Sequence, residues 1–258
     1  MMKLSNFRFY KKQYKSDPVH NVYIKKIEKI IKQDKGCFYF ACEYFFNNSD
    51  NKQSVNNAYN QIILDIEITS LTIQVDEILG NQLASLLSTL HNLKLHEYRK
   101  VRDGFIEFIT LRWRVLAGKH SNVYIEPNIY YKRKQILGNK PFKDKVADIV
   151  RVHRKKRIFE MYECKTTMRK FLSLIAPEPY EKYPYKNYKG YKNVSSQKRK
   201  QDYLHAFYDL VNFKTDAKTC VVAYVTLAKK SDLKVENIGE IPIITRESIL
   251  SKFDELFK

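Results

Sequence analysis

The chain finds its first clear rhythm at NVYIKKIEKIIKQDKG (21–36). There Val22, Ile27, Ile30 and Ile31 fall on one helical stripe and Gly36 stands as a stop, so residues 1–35 are predicted to be helical. CFYFACEYFF (37–46) is a short, unbroken apolar and aromatic run, which reads as a strand. NNSDNKQSVNN (47–57) is a polar loop. QIILDIEITSLTIQV (61–75) alternates apolar and polar positions and is rich in β-branched residues, the pattern of a strand or a bent pair of strands. VDEILGNQLASLLSTLHNLKL (75–95) returns to helical spacing. The first hundred residues therefore read as an α+β region with no recognisable motif and no internal repeat.

The second part, 101–258, has a different order. DGFIEFITLRWRVLAGK (103–119) is a predicted helix, apolar at Phe105, Ile106, Ile109, Trp113 and Leu116, with Gly118 as its stop. Three strands follow in NVYIEPNIYY (122–131), KVADIVRVH (145–153) and RIFEMYECKTT (157–167), the last two joined by a short basic turn as a hairpin. A helix is predicted over 195–213. TCVVAYVTLA (219–228), apolar on both faces, is a central strand covered by helices. A short strand and a helix close the chain over 241–257. The expected class is α/β, with a mixed sheet.

RIFEMYECKTT carries the chemistry. Alternation puts Phe159, Met161, Glu163 and Lys165 on one face and Glu160, Tyr162 and Cys164 on the other. A carboxylate and an ammonium at the end of an apolar strand face are costly unless paired, solvated or used. Asp148, read as mid-strand, shares its face with Val146 and Val150, and a hairpin turning at 153–157 brings it near Glu163 at one end of the sheet. Two convergent carboxylates suit Mg²⁺, which takes one or two and leaves other positions to water and phosphate. Mn²⁺ could stand in for it. Lys165 beside them could hold a phosphate oxygen or orient an attacking water. These are the parts for metal-assisted phosphodiester hydrolysis.

Asp148 … Glu163-Cys164-Lys165 resembles the signature of the PD-(D/E)XK nucleases, the restriction-endonuclease-like superfamily. The likeness covers about residues 100–230, with Ala147 where the name-giving proline would stand. It implies a core of helix, three strands, helix and strand, with the N-terminal region added to it. It implies Asp148 and Glu163 as metal ligands, the Cys164 backbone carbonyl as a further one, and Lys165 as the catalytic lysine. It implies an acidic residue from the preceding helix, for which Glu107 is preferred, with Glu126 second. Gln201, on the helix after the third strand, would touch the site or the scissile-strand phosphate. The expected products are 5′-phosphate and 3′-hydroxyl ends. A type II restriction or related defence nuclease, acting as a homodimer, is the first expectation. A structure-selective nuclease of recombination, transposition or repair is an alternative, as is a basic nucleic-acid-binding protein without catalysis.

Charge sharpens the choice of partner. With 47 Lys+Arg against 28 Asp+Glu, the formal net charge is +19, and self-repulsion on that scale is relieved by a polyanion, here DNA. The 44% hydrophobic and 14% aromatic content excludes a disordered chain. Residues 132–157 hold eleven Lys/Arg, Lys155, Lys156 and Arg157 among them. Residues 177–203 interleave tyrosines with Lys186, Lys189 and Lys192 and lead into Lys198 and Arg199. Tyrosines could stack on bases while lysines neutralise phosphates. Residues 1–100 are left for DNA recognition or dimerisation.

The four cysteines are scattered, which argues against a disulfide framework and against zinc, and His91 and His96 are wrongly spaced for one helical face. No apolar run is long enough to span a bilayer and the opening residues lack a signal-peptide h-region, so a cytoplasmic protein is expected; the resemblance to restriction and defence nucleases implies a prokaryotic or phage-encoded one.

Overall fold

Asn21 accepts the main-chain N–H groups of Tyr23 and Ile24 and starts α1 (Val22–Ile31), whose Ile24, Ile27, Ile30 and Ile31 form one buried stripe. The computed structural model describes residues 1–11, 21–116, 122–138, 142, 145–168, 172 and 189–257. Four more helices follow α1: α2 (Lys35–Asn47), α3 (Val55–Ser70), α4 (Glu77–Thr89) and α5 (Leu95–Leu116). From residue 21 onward the N-terminal region is thus mostly helical, and both strands expected in it are helices. Asp34 caps α2 through the Cys37 N–H, and Ser54 caps α3 through the Asn57 N–H. Helix α2 buries residues on every side, from Cys37 and Phe38 round to Phe45 and Phe46, which leaves no periodicity to read. Its Gly36 lies so close to the main chain of Gln74 and Val75 that a Cβ there would stand 2.9 Å from the Val75 Cα.

Helix is likewise not what the first residues form: β1 (Phe7–Lys11) is a strand. It pairs with β3 (Pro127–Tyr131), and β3 with β4 (Lys134–Gln135), in a small antiparallel sheet. The expected strand 122–131 is therefore two strands. β2 (Asn122–Ile125) ends at Glu126, whose φ of 41° turns the chain into the second sheet.

The main sheet has six strands in the order β2-β5-β6-β7-β9-β8, with β5 Ile149–His153, β6 Ile158–Lys165, β7 Thr219–Thr226, β8 Asn237–Ile238 and β9 Ile241–Ile244. β2, β5 and β6 run antiparallel, while β6, β7 and β9 are parallel. The parallel step from β6 to β7 is bridged by α6 (Lys189–Lys214), which begins six residues before its predicted start. Two short helices, α7 (Arg246–Leu250) and α8 (Phe253–Leu256), end the chain.

Alternation sorts the sheet into two cores. Ile149, Tyr162, Cys164, Ala223 and Val225 pack with α1–α5. Val150, Val152, Phe159, Met161, Val222 and Tyr224 pack with the Leu204–Phe207–Val211 stripe of α6. The boundary expected at residue 100 falls inside α5, which lies against α1 and against β6. The protein is mixed α/β, and no helix among the described residues is long and apolar enough to cross a membrane.

Candidate functional site

The β5–β6 register pairs Ile149 with Tyr162, so Asp148 and Glu163 come next and face each other across the ladder. Asp148 is not mid-strand: it is the residue before β5, at the lip of the sheet. Its carbonyl accepts the Glu126 N–H at 2.8 Å, and its Oδ2 accepts the Cys164 N–H at 2.7 Å. These bonds fix its carboxylate on the α6 side, where strand parity also sends Glu163 and Lys165. The Lys165 Nζ donates to Glu163 Oε1 at 2.5 Å.

A fourth residue closes the group. Lys200 of α6 places its Nζ 2.6 Å from Glu163 Oε2 and 4.0 Å from Asp148 Oδ1, and it donates to the Val146 carbonyl. Sequence reading named its neighbours and passed over it. The signal was present: Lys200, Leu204, Phe207 and Val211 recur at helical spacing, so Lys200 is the first residue of a stripe that points inward.

Two carboxylates and two ammonium groups thus share one buried corner. Glu163 is 1% exposed and Asp148 7%. Burial alone would raise the Glu163 pKa, but Lys165 and Lys200 outweigh it and hold the carboxyl below the usual range. Burial alone would lower that of Lys165, but Glu163 and Asp148 outweigh it and hold the ammonium above its ordinary value. Asp148 goes the other way. Burial first and the Glu163 charge second push its carboxyl up to about 6, against Lys200, Lys165 and the Cys164 N–H.

The Asp148 shift has a sign in stability. An acid whose folded pKa lies above its unfolded value of about 3.9 favours folding while protonated, so its contribution is complete below that value and is lost as pH rises through the folded pKa. Asp148→Asn, which stays neutral, is therefore expected to melt above the wild type at neutral pH and beyond. The gap should close as pH falls through about 6 toward the unfolded value. Thermal unfolding followed by circular dichroism across that range measures it, and a gap that is constant or reversed would contradict the assignment.

The remaining candidates are placed unequally. Glu126, second choice in the sequence, is buried and main-chain bonded to Asp148. Glu107 is half-buried on α5, on the other side of β6, where its charge is felt by Cys164. The Cys164 thiol also faces α5, 3.5 Å from Thr110 Oγ1. The main-chain carbonyl held by the Lys200 ammonium belongs to Val146. Gln201 is buried beside Lys200 on α6, and its Nε2 has no hydrogen-bond partner among the described residues. Tyr203 and Tyr224 are buried close enough to Glu163 for its charge to add to burial in raising their pKa values.

The basic residues divide. Lys155, Lys156 and Arg157 are exposed at the β5–β6 turn, the opposite end of the hairpin, about five residues or roughly 17 Å of strand from Asp148. They do not line this site. Lys198 pairs with Asp202, one turn further along α6, at 2.9 Å, and Arg199 is its neighbour in the chain. Lys189 and Lys192 belong to the first turns of α6. Lys186 and the rest of 177–188, with Tyr180, Tyr183, Tyr185 and Tyr188, lie outside the described residues.

Among the described residues no group of three or more His, Cys, Asp or Glu side chains gathers as a metal cluster. The hard ligands on offer here are two carboxylates and main-chain oxygen. Compared with protein-family models and with curated proteins, the sequence matches none.

Proposed function

We propose that this chain is a divalent-metal-dependent endodeoxyribonuclease with a restriction-endonuclease-like core. One observation carries the reading. Asp148 and Glu163 reach a single ammonium from adjacent strands at one lip of the sheet, and Lys165 follows Glu163 two residues later on the same face. The order of the described elements in the main sheet supports it: α5, then β2, β5 and β6, then α6 and β7, with β3 and β4 of the small sheet inserted between β2 and β5.

The oxygen set fits a hard cation. Two buried carboxylates and the Val146 carbonyl already surround one positive charge, and Mg²⁺ or Mn²⁺ takes such oxygens while keeping positions for water and phosphate. Asp148 and Glu163 would hold the ion, which would supply a water of lowered pKa and polarise a phosphoryl oxygen. Lys165 does the work of the protein itself. Anchored to Glu163 yet 26% exposed along its side chain, it is placed to orient the attacking water and to stabilise charge growing on the phosphate oxygens. Gln201 has a donor to spare for a non-bridging phosphate oxygen. Tyr203 and Tyr224 close the floor against bulk water.

The net charge of +19 supplies DNA affinity without sequence preference. By analogy, a homodimer would bring two such sites to the two strands, as in a restriction or other defence nuclease.

Incubation with plasmid DNA and Mg²⁺, followed by end mapping, tests the proposal. Cleavage that needs the metal, leaves 5′-phosphate ends and is lost in Asp148→Asn is the expected result. Discrete bands would mark a sequence-specific enzyme, and junction-only cutting a structure-selective one. Plasmid left uncut by every divalent metal, with binding that weakens steeply in salt, would overturn it in favour of a non-catalytic binding protein.

A further inference from the structure

A lysine ammonium rarely finds two carboxylates and a main-chain carbonyl by accident, because each buried carboxylate costs desolvation that only close, well-bonded counter-charge offsets. The Lys200 Nζ has all three: Glu163 Oε2 at 2.6 Å, Asp148 Oδ1 at 4.0 Å and the Val146 carbonyl. Its side chain is 14% exposed, so the ammonium sits inside the corner and not at its rim. Lys165 binds the other oxygen of Glu163, Oε1. The two lysines therefore divide the labour: Lys165 takes one oxygen of a single carboxylate, while Lys200 bridges both acids.

We propose that Lys200 is a resident counter-cation that occupies the divalent-ion position of the Asp148–Glu163 pair, so that its ammonium and the metal bind there in alternation. The inference rests on the metal-site reading above and adds a regulator to it. With Lys200 seated, two carboxylates face two ammonium groups and the corner is neutral. When a divalent ion takes the oxygens, Lys200 leaves the corner toward solvent. The corner then carries excess positive charge, which an anionic phosphodiester neutralises. Metal and nucleic acid should therefore favour each other's binding, and the free protein should hold metal weakly.

Calorimetric titration of the full chain with Mn²⁺, without nucleic acid, is the first test. Lys200→Gln should bind Mn²⁺ about tenfold or more tightly than wild type, because a competing charge at contact distance has been removed. Lys200→Arg, which keeps the charge, should bind no more tightly than wild type. The second test uses unmodified protein and so does not depend on a variant folding. Lysines are acetylated briefly with and without Mn²⁺ and counted one by one by mass spectrometry. The reactivity of Lys200 should rise several-fold with Mn²⁺, while that of Lys156, exposed at the β5–β6 turn at the other end of the hairpin, should not.

The failures are distinguishable. If neither wild type nor Lys200→Gln takes up Mn²⁺, the metal-site reading falls and the alternation with it. If both bind Mn²⁺ equally well, or if Mn²⁺ binds and Lys200 stays protected, the alternation alone is wrong and the metal site stands.

Discussion

Lys165→Ala is expected to lower single-turnover DNA cleavage by about 10²–10³-fold, the usual cost of removing one preorganised group from a developing oxyanion. Binding should barely change. Affinity for a polyanion is spread over many charges, each adding a slope of roughly 0.9 to the logarithmic salt dependence, and Lys165 is one of 47 basic residues. The loss should fall on the chemical step and not on the encounter. Lys165→Arg should recover only part of the rate, since a planar guanidinium carries the charge but cannot hold Glu163 Oε1 as a compact ammonium does. Rapid-quench cleavage together with a gel-shift salt series separates the two effects. Cleavage by Lys165→Ala at the wild-type rate would remove Lys165 from the reaction, and lost binding would make it a docking residue.

The largest effect on stability is expected on the opposite face of the same strand. Glu160 is buried and accepts from Arg151 Nη1 at 2.5 Å and from the Tyr162 hydroxyl at 3.1 Å, with Arg114 Nη1 3.4 Å away. Arg114 also lies over the Trp113 ring, 3.6 Å from its centroid. Glu160→Ala takes the carboxylate away from two guanidinium groups in the α5 layer, and breaking a buried pair from one side costs about 3–5 kcal/mol. Unfolding in guanidinium chloride should show a midpoint lowered by that loss divided by an unchanged slope. By contrast, exposed pairs such as Lys252–Glu255 contribute about 0–1 kcal/mol. A Glu160→Ala loss no larger than that would mean that water or rearrangement already compensates the arginines.

The sheet and the acid–lysine set were readable in the sequence because strand alternation is a strict code. Phe159 and Met161 do go one way and Tyr162 and Cys164 the other, and fifteen residues of hairpin do bring Asp148 to Glu163. The helical layer was not readable, for two different reasons. In α2 the apolar residues cover the whole circumference, so no period survives. In α3 the period was misleading. Ile62, Leu64, Ile66 and Ile68 fall on alternate positions, separated by Ile63, Asp65 and Glu67, as in a strand, yet only Ile62 and Ile66 of the four are buried, with Ala58 and Thr69, on one helical stripe. Leu64 and Ile68 are 52% and 65% exposed. Half of the apparent alternation was surface. Lys200 heads the inward stripe of Leu204, Phe207 and Val211, a spacing the sequence does carry, but the carboxylates that its ammonium meets become visible only once the helix is seated on the sheet.

The acids meet across a hairpin whose bend lies at the other extremity of the sheet, and this separates two kinds of inheritance. Residues 154–157 can change in length or composition without touching the meeting of Asp148 and Glu163, which depends only on a tally of residues along each arm. That tally tolerates nothing. One residue lost between 158 and 163 would carry the carboxylate through the sheet to the α5 layer, where Cys164 and Thr110 now sit. Divergent copies of this chain should therefore vary more at 154–156 than along the arms, whose lengths they should keep, while position 157, whose carbonyl accepts the Lys218 N–H, stays tied to the next strand.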